Sequence, residues 1–548
     1  MLSASASAQR NQRLRGILLA PSHEAVGGRS SRAADYSVVI AGGGPVGLML
    51  ACELGLAGVD VLVIERLTSI DPTMKAGYVN LATVQAFYRR GMLPQLRQPH
   101  DAAVERMRKF LASKGIENAV GGGPVGPHFS GITLDLGLVD STGPMFTHAG
   151  PAAGVILVSQ QEIETLLNER AADLGVTVLR GAEVAGFTVE SDGVTVELGD
   201  GRTVRGEWLV GADGGRSTVR KLAGFEFPGV DPEVTARQFV ADMIGHEKLR
   251  VGWNRTEGGV YLYGPYPGRL VTVELDGPPE DREAPITPAE LEATVRKVAG
   301  VDVEVTAIHS ATRFTDHTRQ ANTYRLGRVL LAGDAAHVHS PLGGQGQNLG
   351  IGDAVNLGWK LAAVVKGSAP EDLLDTYTAE RHPVGEWVLE WTRAQVAAMR
   401  TDARSSALRT VLSDLISTPD GATYVLAKLS GMLHRYESGE HDLVGALVPD
   451  VELADGTRVG DHCADGRALL VDLADNPTVR DAVDGWATRV RVVSIKPARQ
   501  VTWSALLVRP DGYVAWAADE NPDIPALSAA LHRWFGGPTL RDPSTPAH

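Results

Sequence analysis

The chain has 548 residues, 43% of them hydrophobic and 22% charged, the balance of a soluble globular protein with material for more than one core. Its 52 Lys and Arg against 66 Asp and Glu leave a net charge of −14, which argues against broad binding to nucleic acid or anionic membrane. Cys52 and Cys463 are its only cysteines, so no disulfide scaffold, zinc site or CxxC pair is expected. No stretch reads as membrane-spanning: Tyr36–Cys52 carries glycines and a proline, and Ser141–Gln161 is broken by Pro144 and Pro151. Residues 1–34 hold Arg10, Arg13, Arg15, Arg29 and Arg32 with no lysine, a composition of transit peptides and of disordered tails. The apolar run Gly16–Pro21 is too short for a secretory core; a disordered or targeting-like tail is expected, and the location expected for the protein is cytoplasmic.

Tyr36–Ala41 (YSVVIA) is an apolar, β-branched run suited to a buried strand. The glycine loop Gly42–Gly47, the helix-forming Leu48–Leu56 and the strand Val59–Ile64 follow, closed by Glu65. That order predicts a βαβ unit, and hence a parallel sheet with a right-handed crossover. Helices are expected near Thr83–Arg90 and over Gln161–Leu174, and strands over Thr177–Val184, Val194–Leu198 and Glu207–Val210, the last leading into the polar loop Gly211–Ser217. From Phe227 to about Thr312 the short runs Gln238–Met243, Gly259–Gly264 and Arg269–Leu275 are divided by Gly and Pro, which predicts a separate antiparallel lobe. Arg328–Ala332 is again strand-like, followed by a long glycine loop and a helix over Gly352–Val365. Beyond Pro449 a smaller α/β unit is expected, with strands Ala468–Leu473, Val490–Ser494 and Ala505–Arg509, a hairpin turn at Asp511-Gly512 and a final helix Pro525–Phe535.

Gly42-Gly43-Gly44-Pro45-Val46-Gly47 fits GxGxxG. Gly42 permits the tight turn, Gly44 lets a pyrophosphate approach the backbone, and Gly47 lets the helix pack on the strand. The helix N-terminal amides then face the phosphates. Glu65, beside Arg66 at the end of the second strand, can accept both ribose hydroxyls and repel a 2′-phosphate, which favours FAD or NAD over NADP. The identical string recurs at Gly121–Gly126. There no strand precedes it, Pro127 follows where a helix should run, and Pro144 stands at the position matching Glu65, so a loop is expected.

Two further clusters carry a resemblance. Gly211-Ala212-Asp213-Gly214-Gly215-Arg216-Ser217, continuing to Arg220, resembles the GADGxxSxxR segment of class A flavoprotein monooxygenases, the para-hydroxybenzoate hydroxylase-like family. Gly327–His337, with Pro341–Asn348, Asp353-Ala354 and Asn356–Leu361, resembles that family's second flavin signature. The three signatures stand in the family's order, the resemblance covers about Asp35–Arg400, and among subfamilies the chain is most similar to hydroxylases of aromatic polyketides.

The resemblance implies an α/β fold: a Rossmann-like FAD-binding domain (35–225 and 313–405), an inserted antiparallel β-rich substrate domain (226–312), a helical connector (406–448) and a C-terminal thioredoxin-like domain (449–548). It implies FAD as cofactor, held by Gly42, Gly44, Pro45, Val46, Gly47, Glu65, Arg66, Lys75, Gln160, Val184, Asp213, Asp334, Pro341, Gly343, Gly344, Gln345, Gly346, Gln347 and Asn348. Lys75 and Gln347 depart from the family, which often has arginine and methionine there, and Gln161 rivals Gln160 by register. Arg216 and Arg220 read either as phosphate-steering groups or as surface ion pairs. The implied activity is an NADPH- or NADH-consuming monooxygenase that hydroxylates a polycyclic aromatic, polyketide-type substrate with O₂ through a flavin C4a-hydroperoxide. Its alternatives are Baeyer–Villiger oxygenation on the same scaffold and a non-catalytic flavoprotein that sequesters an aromatic drug. The substrate is expected between the flavin loop and the β-rich lobe, near Tyr261, Tyr263 and Tyr266. No catalytic base is assigned, no metal is expected at His337 and His339, Trp387 and Trp391 are read as a packed helix face, and the protein is expected as a monomer or homodimer.

Overall fold

The computed structural model describes residues 34–116, 126–437 and 439–539. The expected N-terminal tail, but for residue 34, and all but the last residue of the second glycine string lie outside them. The central sheet runs, edge to edge, through Arg325–Leu326, Val329–Leu331, Thr203–Gly211, Tyr36–Ala41, Val61–Glu65 and Thr177–Arg180. Tyr36–Ala41 is parallel to both its neighbours, and its Val38, Val39 and Ile40 are fully buried. Strands covered on both faces read as continuous apolar runs, which is why this one was legible. The helix Pro45–Leu56 follows directly, with Pro45 in its first turn, where a missing N–H costs nothing.

Two local expectations change. Thr177–Val184 is two strands: Gly181, at φ +70°, turns the chain after Arg180, and Val184–Val189 pairs antiparallel with Val194–Leu198. The helix expected from Gly352 starts at Gly346. Gly346-Gln347-Asn348 has poor helix propensity, but packing against the helix Pro45–Leu56 overrides it. Added side chains at Gly350 and Gly358 would meet Val46 Cγ2 at 2.5 Å and Glu53 Cβ at 2.4 Å.

The β-rich region forms a five-stranded antiparallel sheet in the order Gly252–Thr256, Gly259–Tyr263, Arg269–Glu274, Thr235–Ile244, Glu304–Thr315. Strand alternation gives it two unlike faces. One packs Phe239, Ala241, Met243, Tyr261, Tyr263 and Leu270 under the helix Pro288–Ala299, which was not expected in this lobe. The other packs Ala236, Val260, Leu262, Val271 and Val273 against Leu342, Val396 and Met399. The C-terminal sheet has the order Val490–Ser494, Ala468–Asp472, Ala505–Val508, Val514–Ala518, with a parallel first pair and antiparallel partners after it, backed by the helix Ile524–Phe535.

Buried charges join this last unit to the rest. Arg509 donates to both carboxylate oxygens of Glu380, at 2.5 and 2.9 Å, and also bonds Asp511. Lys360 Nζ reaches Glu380 at 2.7 Å, and Arg90 binds Glu53 through two donors at 2.7 Å each. Removing one member of such a set strands its partner in a low-dielectric interior. Arg509→Met is therefore expected to cost about 3–5 kcal/mol of unfolding free energy. Arg533→Met, which breaks the exposed pair with Glu437 and a contact over the Trp534 ring, should cost about 1 kcal/mol. Urea midpoints of both variants against the parent check the contrast.

Candidate functional site

The glycine loop leaves the strand Tyr36–Ala41 in a conformation only glycine adopts easily: Gly42 has φ +106°, and a Cβ there would lie 2.2 Å from the carbonyl oxygen of Ala212. The first and second signatures therefore touch backbone to backbone. A Cβ on Gly47 would meet the Gly42 carbonyl at 2.0 Å, whereas the Cβ position on Gly44 is open. The loop thus closes tightly at its ends and leaves room at its centre, beside a helix N-terminus. Glu65 stands at the rim: Gly43 N donates to its Oε2 at 2.7 Å and Leu67 N to its Oε1 at 2.8 Å. Arg66 is exposed next to it.

The third signature arrives through Val46. A Cβ on Gly333, itself at φ +62°, would lie 3.0 Å from Val46 Cγ2, so the turn into Asp334 rests on the first helix. Asp334 is exposed, and its Oδ1 and His339 Nε2 both approach the Cβ position of Gly346, at 3.9 and 3.3 Å. Pro341 and Gly344 are exposed, while Gly343 backs onto Gln395 and Thr392. Gly344, at φ +64°, faces the Tyr78 hydroxyl. Gln345 Nε2 donates to the Gly343 carbonyl at 3.3 Å, and Asn348 Oδ1 accepts from Asn80 N at 2.9 Å.

Several polar atoms here are buried without a partner: Asp213 Oδ1, His339 Nε2 and both side-chain polar atoms of Gln347. Such atoms are costly unless a ligand or water meets them. With the open centre at Gly44 and the acid at Glu65, they fit a bound dinucleotide carrying a polar ring system. Asp213 uses its other oxygen to cap the helix Thr218–Ala223, accepting from Thr218 N at 2.7 Å.

Other candidates have structural work. Lys75 is half exposed and pairs with Asp71 at 2.7 Å. Gln160 Nε2 donates to Glu164 at 2.7 Å, whereas Gln161 Nε2 ties down the Asp71 and Thr73 carbonyls. The Val184 side chain belongs to the main core. Arg220 is buried, bonded to the Ala335 and Gly215 carbonyls and 3.8 Å from the Phe227 ring centroid; Arg216 forms an exposed ion pair with Glu283. Trp387 and Trp391 pack 5.4 Å apart. Tyr261 and Tyr263 point under the helix Pro288–Ala299, away from the face that meets the glycine loop. Alternation along Gly259–Tyr263 decides this, because it places Val260 and Leu262 on the loop side.

Sequence reading missed the anchor of the third signature. Asp353 Oδ2 accepts from Gly333 N at 3.0 Å and lies 2.6 Å from His337 Nε2, while its Oδ1 accepts from Arg381 Nε at 2.8 Å. Asp353 was visible only as one letter of the signature, and Arg381 lies 28 residues further along the chain.

A family model described as "FAD binding domain" matches residues 35–392, and one described as "Aromatic-ring hydroxylase, C-terminal" matches 441–538. The chain is 39% identical over 518 residues to a rifampicin monooxygenase of Streptomyces venezuelae, covering 92% of this chain and 99% of that one. It is 39% identical over 517 residues to a dialkyldecalin synthase of Streptomyces rugosporus, covering 91% and 99%. The solved structure of the OxyS anhydrotetracycline hydroxylase from Streptomyces rimosus superposes with a TM-score of 0.79 at 37% identity, covering 92% of this chain and all of that one. The chain belongs to the FAD-dependent aromatic-ring hydroxylases, a family of flavoprotein monooxygenases.

Burial alone would raise the Asp353 carboxyl, but the charges of His337 and Arg381 outweigh it and hold the carboxyl below its ordinary value. A lowered folded-state pKa stabilises above the unfolded value, near pH 4, and that contribution is lost as pH falls through the folded value. The stability gap between the parent and Asp353→Asn should therefore be full at neutral pH and shrink in acid. Urea unfolding at a series of pH values measures it.

Proposed function

We propose that this enzyme hydroxylates a polycyclic aromatic substrate of polyketide type, with NADPH or NADH as reductant and O₂ as oxygen source. The observation that carries the reading is the meeting of three distant glycine-bearing segments: Gly42 against Ala212, and Gly333 and Gly350 against Val46. They meet beside a largely apolar sheet face that reaches the loop at Leu342. Relatives named for rifampicin and anhydrotetracycline support a large polycyclic substrate.

In this reading Gly42, Gly44, Pro45, Val46 and Gly47 hold the pyrophosphate of FAD, Glu65 its ribose and Asp334 its ribityl chain. When bound, FAD supplies the two-electron redox and oxygen chemistry. The chain's own contribution is electrostatic and steric. The amides of Gly343 to Gly346 and the N-terminus of the helix Gly346–Val365 would stabilise negative charge on the bound group. Gln347, whose side-chain polar atoms are buried without partners, would turn its amide toward the same group. The face formed by Val260, Leu262, Val271 and Leu342 excludes water. No side chain is assigned as a general base, and the positions of Lys75, Gln160 and Val184 support no more than peripheral contacts.

The domain division proposed here keeps the FAD unit discontinuous, with the five-stranded sheet inserted in it. The C-terminal strand order, a parallel pair followed by an antiparallel pair, supports a thioredoxin-like unit. Its Cys463 is buried and bonds the Val459 carbonyl, so this unit is assigned to packing and not to dithiol exchange. Among the described residues no helix is long and apolar enough to cross a membrane.

The test is a panel of polycyclic phenols given to the purified holoprotein, recording NAD(P)H consumption, O₂ uptake and the label incorporated from ¹⁸O₂. The expected outcome is ligand-stimulated oxidation and one labelled hydroxyl on an intact ring. A ring-expanded ester would mark Baeyer–Villiger chemistry instead. Tight ligand binding without O₂ uptake would mark a carrier or, as in the dialkyldecalin synthase's name, a synthase.

A further inference from the structure

A cavity of about 60 Å³ lies between the helices Leu81–Arg89, Gly346–Val365 and Asp375–Met399 and the C-terminal hairpin at Asp511. Gln345 and Asn348 line it, so it adjoins the glycine loop, but Gly44, Glu65, Asp334 and the inserted sheet do not border it. It is distinct from the dinucleotide site. Small residues leave the space open: Ala82 and Ala86 stand one turn apart on the helix Leu81–Arg89. On the facing helix, a Cβ on Gly352 would lie 2.8 Å from Arg381 Nη2. A single water needs about 10–15 Å³, and a cavity of about 150 Å³ holds benzene. This one therefore suits a small ion and excludes an aromatic ring.

The charges around it do not balance. Arg90 has Glu53, Arg381 has Asp353, and Lys360 and Arg509 share Glu380 and Asp511. Arg89, in the same buried layer, is left over. Its Nη2 donates to the Asp511 carbonyl at 3.2 Å, and its Nη1 reaches Gln85 Oε1 only at 3.5 Å. Among the described residues no carboxylate forms an ion pair with it, although it is 3% exposed. Asp511 lines the cavity too, but its oxygens take Arg509 Nε and Nη2, Asn356 Nδ2 and Tyr513 N. Desolvation, the largest influence on the Arg89 guanidinium, pulls its pKa down. The Gly512 backbone holds that guanidinium in place, since a Cβ there would meet its Cζ at 2.4 Å.

A second donor faces the same space. His434 lines the cavity, and among the described residues its ring nitrogens have no hydrogen-bond partner; its one contact is edge-on to Trp387 at 5.0 Å. Burial, helped by the charges of Arg381 and Lys428, lowers its imidazole to about 4. It is neutral at neutral pH, with one N–H to give. His434 and Ala82 keep accessible surface, so the cavity has a side toward solvent.

We propose that this cavity binds one small monovalent anion, a halide or a short carboxylate such as formate, between Arg89 and His434. A buried cation without a counter-ion is costly. An anion here supplies the missing charge through charge-assisted hydrogen bonds, and ties the end of the helix Leu81–Arg89 to the segment carrying His434. The proposal does not depend on the hydroxylase reading.

The test follows urea unfolding of the FAD-loaded protein while chloride, bromide or formate replaces gluconate, a monovalent anion too large for the cavity, at constant ionic strength. At ten times its dissociation constant, the bound anion should shift the parent's folding equilibrium about tenfold toward the native state. A rise with chloride and bromide identifies a halide site and a rise with formate alone a carboxylate site; either supports the proposal. Arg89→Met should lose the rise and His434→Phe should weaken it. Crystals of the parent soaked in bromide give a readout that needs no variant to fold, an anomalous peak beside Arg89. Equal midpoints of the parent in gluconate and in all three small anions overturn the proposal. So does an undiminished rise in Arg89→Met, or an empty cavity in bromide-soaked crystals of a parent that bromide stabilises. A peak without any rise in solution marks an adventitious ion only and overturns it as well.

Discussion

The rest of the structure depends on how closely two helices approach each other. Pro45–Leu56 and Gly346–Val365 pack where Val46 sits against Gly333 and Gly350, and Glu53 against Gly358. Any side chain at those glycines would occupy space already filled. The contact sets the height of the Gly333-Asp334 turn relative to the first glycine loop, and so decides whether segments nearly 300 residues apart can serve one ligand. Helical glycine costs about 1 kcal/mol relative to alanine, a cost offset here by interhelical packing.

Around that contact the protein uses buried charge where a smaller core would use apolar side chains. Asp353 joins Gly333, His337 and Arg381, so one carboxylate orients the turn, the following strand and the helix Asp375–Met399. Arg509 and Asp511 extend the network into the C-terminal unit through Glu380 and Asn356. Each carboxylate and guanidinium in it has several partners, which makes the arrangement specific in geometry, since a shifted helix would leave charges unpaired in a low dielectric. The C-terminal unit thereby braces the flavin-side helices from behind without lending any residue to the loop itself.

The inserted sheet completes the site by having two different faces. Its paired arginines and tyrosines are directed under a helix, and its aliphatic side, with Arg269 at one end, is directed to the glycine loop. That aliphatic side is the wall nearest the glycine loop, where it meets Leu342, Val396 and Met399.

The sequence by itself determined the local elements and the identity of the glycine signatures. Tyr36–Ala41 reads as a buried strand, GGGPVG followed by a helix and Glu65 reads as a dinucleotide turn, and Ala468–Asp472 and Val490–Ser494 stood out by their aliphatic runs. These are properties of neighbours within a few residues, where periodicity and backbone freedom act. The start of the helix at Gly346, the turn at Gly181, the direction of Tyr261 and Tyr263, and the partners of Asp353 were decided by tertiary structure alone. In each case the deciding energy is a contact with a residue distant in the chain: glycine-permitted packing overrides helix propensity, pairing with a remote strand chooses which side chains face inward, and a buried charge takes its meaning from which partners surround it.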